Sequence, residues 1–517
     1  MSTREMLDEG KRDTQENEKA FELHLERARS EDSEAMVKVG DCYAKGEGVP
    51  QDKSKAIEWY QRASTSGNAQ AMTNLAHFYM KGDSVPQDKS KAFNLYQQAA
   101  DLGNTGAILE MANCYWRGDG VAKDKTKSIQ FLQQAADLGS ANATLNLGAC
   151  YENGDGVPKD KMKSIELLEK AASLGHINAM IVLGNCYLSG NRIAQDKKKA
   201  LEMFQQASDL GDTNGMLNLA VCNIKGLGVP KDTKKGLELL QQASDLGNTG
   251  AIMTLGVCYM NGEGVVQDKK KAIELYQQAS DMGNADAMAT LAVCYEKGDG
   301  VPQDKGKAIE LYQKAVDLKN TRAMYHLGAH YFDGDGVEQD KGKAIELYQR
   351  ASDMGSSEAL FNLAYCYENG DGVPEDKKKA LELYQKASNM GNSGAMNNLA
   401  LCYYNGNGVP QDKASAIKLF QQASDLGHTE SMFNLGVCYQ KGDGVPKDGM
   451  KAIQLYQQAA DLGDTDSMAN LAHCYENGYC VPQDKKKAIK LYQKAADLGD
   501  TEAEMKLKTL QDELNQA

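Results

Sequence analysis

Nine prolines occur in this chain, and all nine fall at one position of a 36-residue frame: Pro50, Pro86, Pro158, Pro230, Pro302, Pro374, Pro410, Pro446 and Pro482. Two residues further on, an aspartate recurs in every copy, from Asp52, Asp88 and Asp124 through to Asp484. Thirteen copies follow one another without insertion or deletion. A strict period of this length means stacked supersecondary units, each burying its apolar face against its neighbours. The question of function then becomes what lies along the surface the array makes.

A length of 517 residues would by itself suggest three or four domains, but a solenoid has no size ceiling set by one core. No window approaches the run of about 18 apolar residues that a membrane span needs, so no membrane insertion is expected. The opening MSTREMLDEGKRDTQENEKAF is charged throughout and lacks the apolar stretch of a secretory signal, which makes a cytoplasmic location the expectation. A net charge of −14 argues against a phosphate backbone as the main partner, and no nucleic acid is expected. Eleven of the twelve cysteines share one column, from Cys42, Cys114 and Cys150 to Cys474. Copies on neighbouring helix pairs lie about 10 Å apart, too far to bridge, so the column is expected to hold free thiols that act as small core hydrophobes.

Residues 68–103, NAQAMTNLAHFYMKGDSVPQDKSKAFNLYQQAADLG, show what one copy encodes. The column of Asn68 is Asp, Asn or Ser in twelve of fourteen places, His176 and His428 being the exceptions. Such side chains accept bonds from the free amides of a helix start. Helix A then runs to about residue 81, with Met72, Leu75, Ala76 and Tyr79 at the spacing of one buried stripe. The Ala76 column is Gly or Ala throughout, small enough for two helices to approach closely. Gly82 suits a left-handed cap, and Pro86 stiffens the linker. Asp88 caps helix B, which turns Ala92, Phe93, Tyr96 and Ala99 inward and runs to about residue 101. Gly103 ends it, in a column broken only by Lys319.

The predicted chain is all-α. Residues 1–15 form a disordered tail, and 16–31 a capping helix equal to half a repeat. Thirteen repeats fill 32–499 as one solenoid. A final capping helix covers 500–517 and turns polar at Glu504, Lys506 and Lys508.

The consensus small-Met-x-x-Leu-Gly/Ala-x-Cys-Tyr-x-x-Gly-x-Gly-Val-Pro-x-Asp-x-x-Lys-Ala resembles the Sel-1-like repeat, a branch of the tetratricopeptide-like helical repeats, over about residues 17–514. The resemblance implies a right-handed superhelical solenoid of antiparallel helix pairs, with helix A lining a concave wall. It also implies scaffold or adaptor work. Relatives include adaptors in protein quality control, activators of cell-wall synthases, and bacterial proteins that meet host partners. A secreted, cysteine-rich branch carries two cysteines per repeat, eight residues apart. Ser64 and Met72 stand at those positions here, so neither its disulfide ladder nor its penicillin binding is implied.

Internal copies allow columns to be compared within one chain. On helix A the variable columns are those of residues 34, 37, 41, 44 and 45, most of them on one face. That face is polar early in the chain, at Glu34, Asp41, Thr73 and His77. It turns apolar at Leu217, Val221, Ile224, Met253, Val257 and Met260, then aromatic at Tyr325, Phe332, Phe361, Tyr365, Tyr404 and Phe433. Contiguous exposed apolar surface marks interaction sites, and aromatic and Met side chains supply much of their contact energy. These twelve residues are the predicted contacts for an extended or helical segment of a partner protein. The competing reading buries them between turns of a tight superhelix.

Chemical motifs give less. His326 and His330 stand four apart on a helix, but no glutamate follows His326, and His330 replaces the cysteine of its column. Ser415-Ala-Ile-Lys418 has nucleophile spacing without companion motifs. Asp333-Gly-Asp335 starts like a calcium loop, but Val337 and Gln339 break it. Cys480 replaces a linker glycine, as an exposed thiol or, less simply, a partner for Cys474. The lysine columns at 53 and 55 read as a solvated basic stripe. No catalytic residue, cofactor or metal is predicted. The chain reads as a scaffold with a protein or peptide partner. The alternatives are an exported, host-interacting effector, or a hydrolase related to the cysteine-rich branch.

Overall fold

The computed structural model describes the backbone of residues 3–516 and the side chains of residues 16–512. These residues form 28 helices and no strand, an all-α solenoid built on the 36-residue unit. The chain divides into two compact units, 1–255 and 256–517, and within each of them consecutive helices pack on one another.

The first helix spans Thr3–Arg29. The segment expected as a disordered tail is therefore helical from Thr3 onward, while Met1 and Ser2 lie outside the described residues. The cause is composition: from Thr3 to Arg29 there is no proline and one glycine, among six Glu, four Arg and three Leu. The helix buries Phe21 and Ala28, and the Phe21 ring meets Tyr43 edge-on at 5.4 Å. The last helix, Thr501–Gln516, buries Ala503, Leu507 and Leu510 and leaves Glu504, Lys506 and Lys508 exposed.

Between these ends every helix has 13 residues, from Ser33–Lys45 and Lys53–Thr65 to Lys485–Asp497. In the second repeat, helix A is Ala69–Lys81 and helix B is Lys89–Asp101. Asn68 Oδ1 accepts from the Ala71 amide at 3.0 Å, and Gly82 closes the helix at φ +70°. The exceptions His176 and His428 cap as well, through ring Nδ1, at 3.3 and 3.2 Å. Asp88 works in two directions. Its carboxylate accepts from the Lys91 amide at 2.9 Å, and its own amide donates to the Tyr79 carbonyl at 2.9 Å. Gln87 adds a bond to the Met80 carbonyl at 2.8 Å, so the linker folds back onto the end of helix A.

The core contact joins the Ala76 column of helix A to a column of helix B that is aromatic in ten repeats and leucine in three. Tyr96, Phe204, Tyr312, Tyr348, Tyr384, Phe420 and Tyr456 are among the most deeply buried side chains. A methyl added at Gly328 or Gly436 would meet the Tyr348 or Tyr456 ring at 2.6 Å. The cysteine column packs beside it, with ten of its eleven thiols buried and all free.

Successive repeats are clamped by the lysines that read as a solvated stripe, which corrects that expectation. Seven of them bridge to an aspartate 30 residues ahead, from Lys53–Asp83 and Lys89–Asp119 to Lys341–Asp371 and Lys413–Asp443, at 2.6–2.8 Å. Eleven lysines of the other column lie over the tyrosine ring of their own repeat, at 4.1–5.4 Å from its centre. Each partly exposed pair contributes about 0–1 kcal/mol, so the effect lies in repetition.

One position shows how close the linker comes to the preceding helix B. A Cβ on linker Gly444 would lie 3.0 Å from Lys413 Cβ. One repeat later Cys480 replaces that glycine at φ +62°, and the facing lysine has become Gly449. The Cys480 sulfur fills the place where a Cβ on residue 449 would sit.

Two predictions follow from the packing. Gly449→Lys is expected to lower the urea unfolding midpoint, by about 1–3 kcal/mol in stability, and Cys480→Gly should restore most of the loss in the double variant. The second concerns pH. Burial pushes the thiols of Cys150, Cys294, Cys366, Cys402 and Cys474 up to about 11, above the ordinary value of a solvated thiol. Between those values the unfolded chain holds fewer protons than the folded one, so stability falls as pH rises through the window. Urea midpoints at pH 8 and pH 10.5 should show this loss, and replacing Cys366 and Cys402 by Ala should reduce it.

Candidate functional site

In the unit 1–255 the helix Thr213–Lys225 carries Leu217 and Val221, both half-buried, and Ile224, which is only 3% exposed. Ile224 is therefore core and not surface. Its repeat holds Asn223 where the other twelve have tyrosine, and Gly236 where others have alanine or serine. A Cβ on Gly236 would lie 2.5 Å from Ile224 Cγ1, so the isoleucine occupies space that a ring and a methyl fill elsewhere. Asn223 turns its amide to the Leu219 carbonyl, at 2.8 Å. On the helix Thr249–Asn261, Met253 and Met260 are half-buried and Val257 is exposed.

The aromatic stretch lies in the unit 256–517. Tyr325 and Phe332 stand on Thr321–Asp333, and Phe361 and Tyr365 on Ser357–Asn369. These four rings line one pocket of about 500 Å³, whose lining also includes Tyr348, Asn362, Cys366, Asp333 and Glu430. None of the four is buried, and Tyr365 is 45% exposed. Each ring of the Tyr325 column leans on the buried ring of its own helix B: Tyr325 on Tyr348 at 6.5 Å, Phe361 on Tyr384 at 5.9 Å, Phe433 on Tyr456 at 6.0 Å. One face of each ring is thus held by the scaffold. Burial, and then the charge of Glu358, push the Tyr325 phenol up.

Tyr404 and Phe433 stand apart from this pocket. Tyr404, on Ser393–Asn405, donates its hydroxyl to Asp443 at 2.5 Å, and that bond, ahead of burial, pushes its phenol up. It belongs to the clamp between repeats. Phe433, on Thr429–Lys441, lines a separate cavity of about 330 Å³ with Asp466, Asp500 and Glu502.

An asparagine column adjoins the rings and was absent from the predicted contacts: Asn362, Asn398, Asn434 and Asn470, in four successive repeats. Asn398 donates to the Tyr384 hydroxyl at 3.1 Å, and Asn434 to Asn397 Oδ1 at 3.2 Å. Asn74, Asn146 and Asn218 hold the same column earlier, a signal visible once polar columns are read as well as apolar ones. A primary amide both donates and accepts, which suits an extended backbone.

The sequence motifs have structural roles. His330 is 5% exposed, its Nδ1 lies 2.8 Å from the Asp335 carbonyl, and His326 stacks on Tyr312 at 5.2 Å. Burial holds the His326 imidazole below its usual value. The Ser415 hydroxyl donates to the cap Asp412 at 2.7 Å. The Asp335 carboxylate pairs with Lys305 at 2.6 Å. Cys474 is buried, Cys480 exposed, and both are free. Among the described residues no group of three or more His, Cys, Asp or Glu is placed to hold a metal, and no helix is long and apolar enough to cross a membrane.

A family model described as Sel1 repeat matches thirteen stretches, from 33–68 and 69–104 to 465–500. No curated protein matches the chain. Among solved structures, a protective antigen present in uropathogenic Escherichia coli strains and displaying an SLR fold is 29% identical. The match covers 88% of this chain and 97% of that one, with a TM-score of 0.50. A Sel1 repeat protein from Oxalobacter formigenes is 27% identical over 48% of this chain and 99% of its own, with a TM-score of 0.45.

Proposed function

Since the chain belongs to the Sel1 repeat family, whose helical solenoids typically serve as protein-interaction scaffolds, we propose that it holds a segment of a partner protein along the helix A face of residues 321–369. One observation carries the reading. Tyr325, Phe332, Phe361 and Tyr365, from two successive repeats, converge on one pocket, although nothing in the repeat consensus requires a ring at their columns. Large rings anchored from behind and open in front are what binding surfaces use as anchors, because little side-chain freedom is lost on contact. The nearby amides of Asn362 and Asn398 supply polar contacts that fix a bound backbone. This is a binding function, spread over neighbouring repeats.

The likeness to a protective antigen of uropathogenic Escherichia coli supports a second reading, in which the same face meets a partner outside the cell. The chemistry of the face is the same in both.

The test compares the full chain with a Phe361→Ala/Tyr365→Ala variant, its fold checked by far-UV circular dichroism, in affinity capture from the source organism and its surroundings. A partner held by the first and lost by the second is expected. Loss of about 2 kcal/mol per anchor corresponds to roughly 30-fold in affinity. Identical partners on both proteins would move the site to another face.

A further inference from the structure

We infer that the segment held in this pocket is basic, and that it presents an arginine or lysine side chain to the faces of Tyr325, Phe361 and Tyr365. The inference rests on the scaffold reading above and adds the chemistry of the partner.

Charge complementarity is the first ground. Asp333 and Glu430 line the pocket, both are exposed, and neither makes a hydrogen bond or ion pair among the described residues. The linker aspartates nearby are already matched: Asp335 by Lys305, Asp371 by Lys341 and Asp443 by Lys413. The pocket thus has two carboxylates to spare. The column of Glu430 is acidic on either side as well, at Glu358, Asp466 and Glu502, with Gly394 the one interruption. Asp466 shows the strain of that crowding. Burial pushes its carboxyl up, and Asp464, Asp500, Glu430 and Glu502 push it further. Cations stand near one end: Arg322 precedes the acidic stretch of the column and reaches Thr290 at 3.5 Å, and Lys341 lies over Phe332 at 5.1 Å with Asp371 as its counter-ion. Neither charge is paired with Asp333 or Glu430.

The rings are the second ground. An aromatic face attracts a cation through its quadrupole, and the attraction strengthens when water is excluded. This chain uses the interaction throughout, as with Lys379 over Tyr367 at 4.1 Å and Lys413 over Tyr404 at 5.3 Å. Phe332 already carries Lys341, and Tyr325, Phe361 and Tyr365 combine such faces with unmatched carboxylates. An apolar side chain would satisfy the rings and leave the carboxylates unanswered. A cationic side chain with an aliphatic stem satisfies both.

The experiment pans a random 12-residue peptide library, displayed on phage, against the full-length chain. A fluorescein-labelled synthetic copy of the best sequence is then titrated by fluorescence anisotropy. The wild-type chain is expected to enrich arginine- and lysine-containing peptides. Affinity should fall about tenfold in Asp333→Asn/Glu430→Gln, a rim variant that leaves the core untouched, and about tenfold when the peptide's basic residue becomes Gln. It should also weaken with added sodium chloride. Enrichment of peptides without a basic residue, whose binding survives D333N/E430Q but is lost in F361A/Y365A, would overturn the cation inference and leave the segment-binding reading standing. No enrichment, or binding that survives F361A/Y365A, would overturn both. Circular dichroism and thermal melting of each variant separate these outcomes from misfolding.

Discussion

In ten of the thirteen repeats an aromatic ring is pressed against a glycine or alanine, and that contact sets the distances around it. The ring comes from helix B and the small residue from helix A, and a methyl group decides how near the two axes lie. With that spacing fixed, the rest has little freedom. The linker must end where its aspartate can cap helix B and bond back to helix A, as Asp88 does. A linker glycine, present in ten of the thirteen repeats, then passes close over the preceding helix B. An inserted residue would break all three contacts together, which accounts for thirteen copies without a length change.

The candidate site is assembled from the same parts. Phe361 and Phe433 are held by the buried tyrosines behind them, so the scaffold's own rings act as the backing of the binding surface. Charge is partitioned in a similar way. Seven clamp lysines and linker aspartates neutralise one another along the array, while Asp333 and Glu430 at the pocket are in no such pair. A net charge of −14 is thus a poor guide to where a partner sees negative potential; the unmatched Asp333 and Glu430 are a better one.

Contacts within one repeat were legible in the sequence, because each needs a residue type at a short, fixed spacing. Asn68, Gly82, Asp88 and Gly103 mark helix ends that lie within a residue or two of Ala69–Lys81 and Lys89–Asp101. Contacts between repeats were not. Lys53 looks solvated until Asp83 is found beside it, 30 residues on. Tyr404 looks like its aromatic neighbours until the hydroxyl meets Asp443. Ile224 was misplaced because two substitutions in its own repeat, Asn223 and Gly236, open a space inward, and a column-by-column reading treats each in isolation. The asparagine column was overlooked because it is neither constant nor apolar.

Cys480 and Gly449 also bear on how such an array can be recombined. The two residues lie in different copies of the frame, and the Cys480 sulfur takes the space that a side chain on residue 449 would need. A cut at the helix A cap, where the repeat is conventionally divided, would separate them. A crossover there would set a cysteine against a lysine on one side of the junction, or two glycines on the other. The unit that can be exchanged without disturbance runs instead from the start of one helix B through the linker of the next copy. The boundary at which this chain can be grown, shortened or spliced by gene duplication is thus offset from the boundary at which its helices are counted.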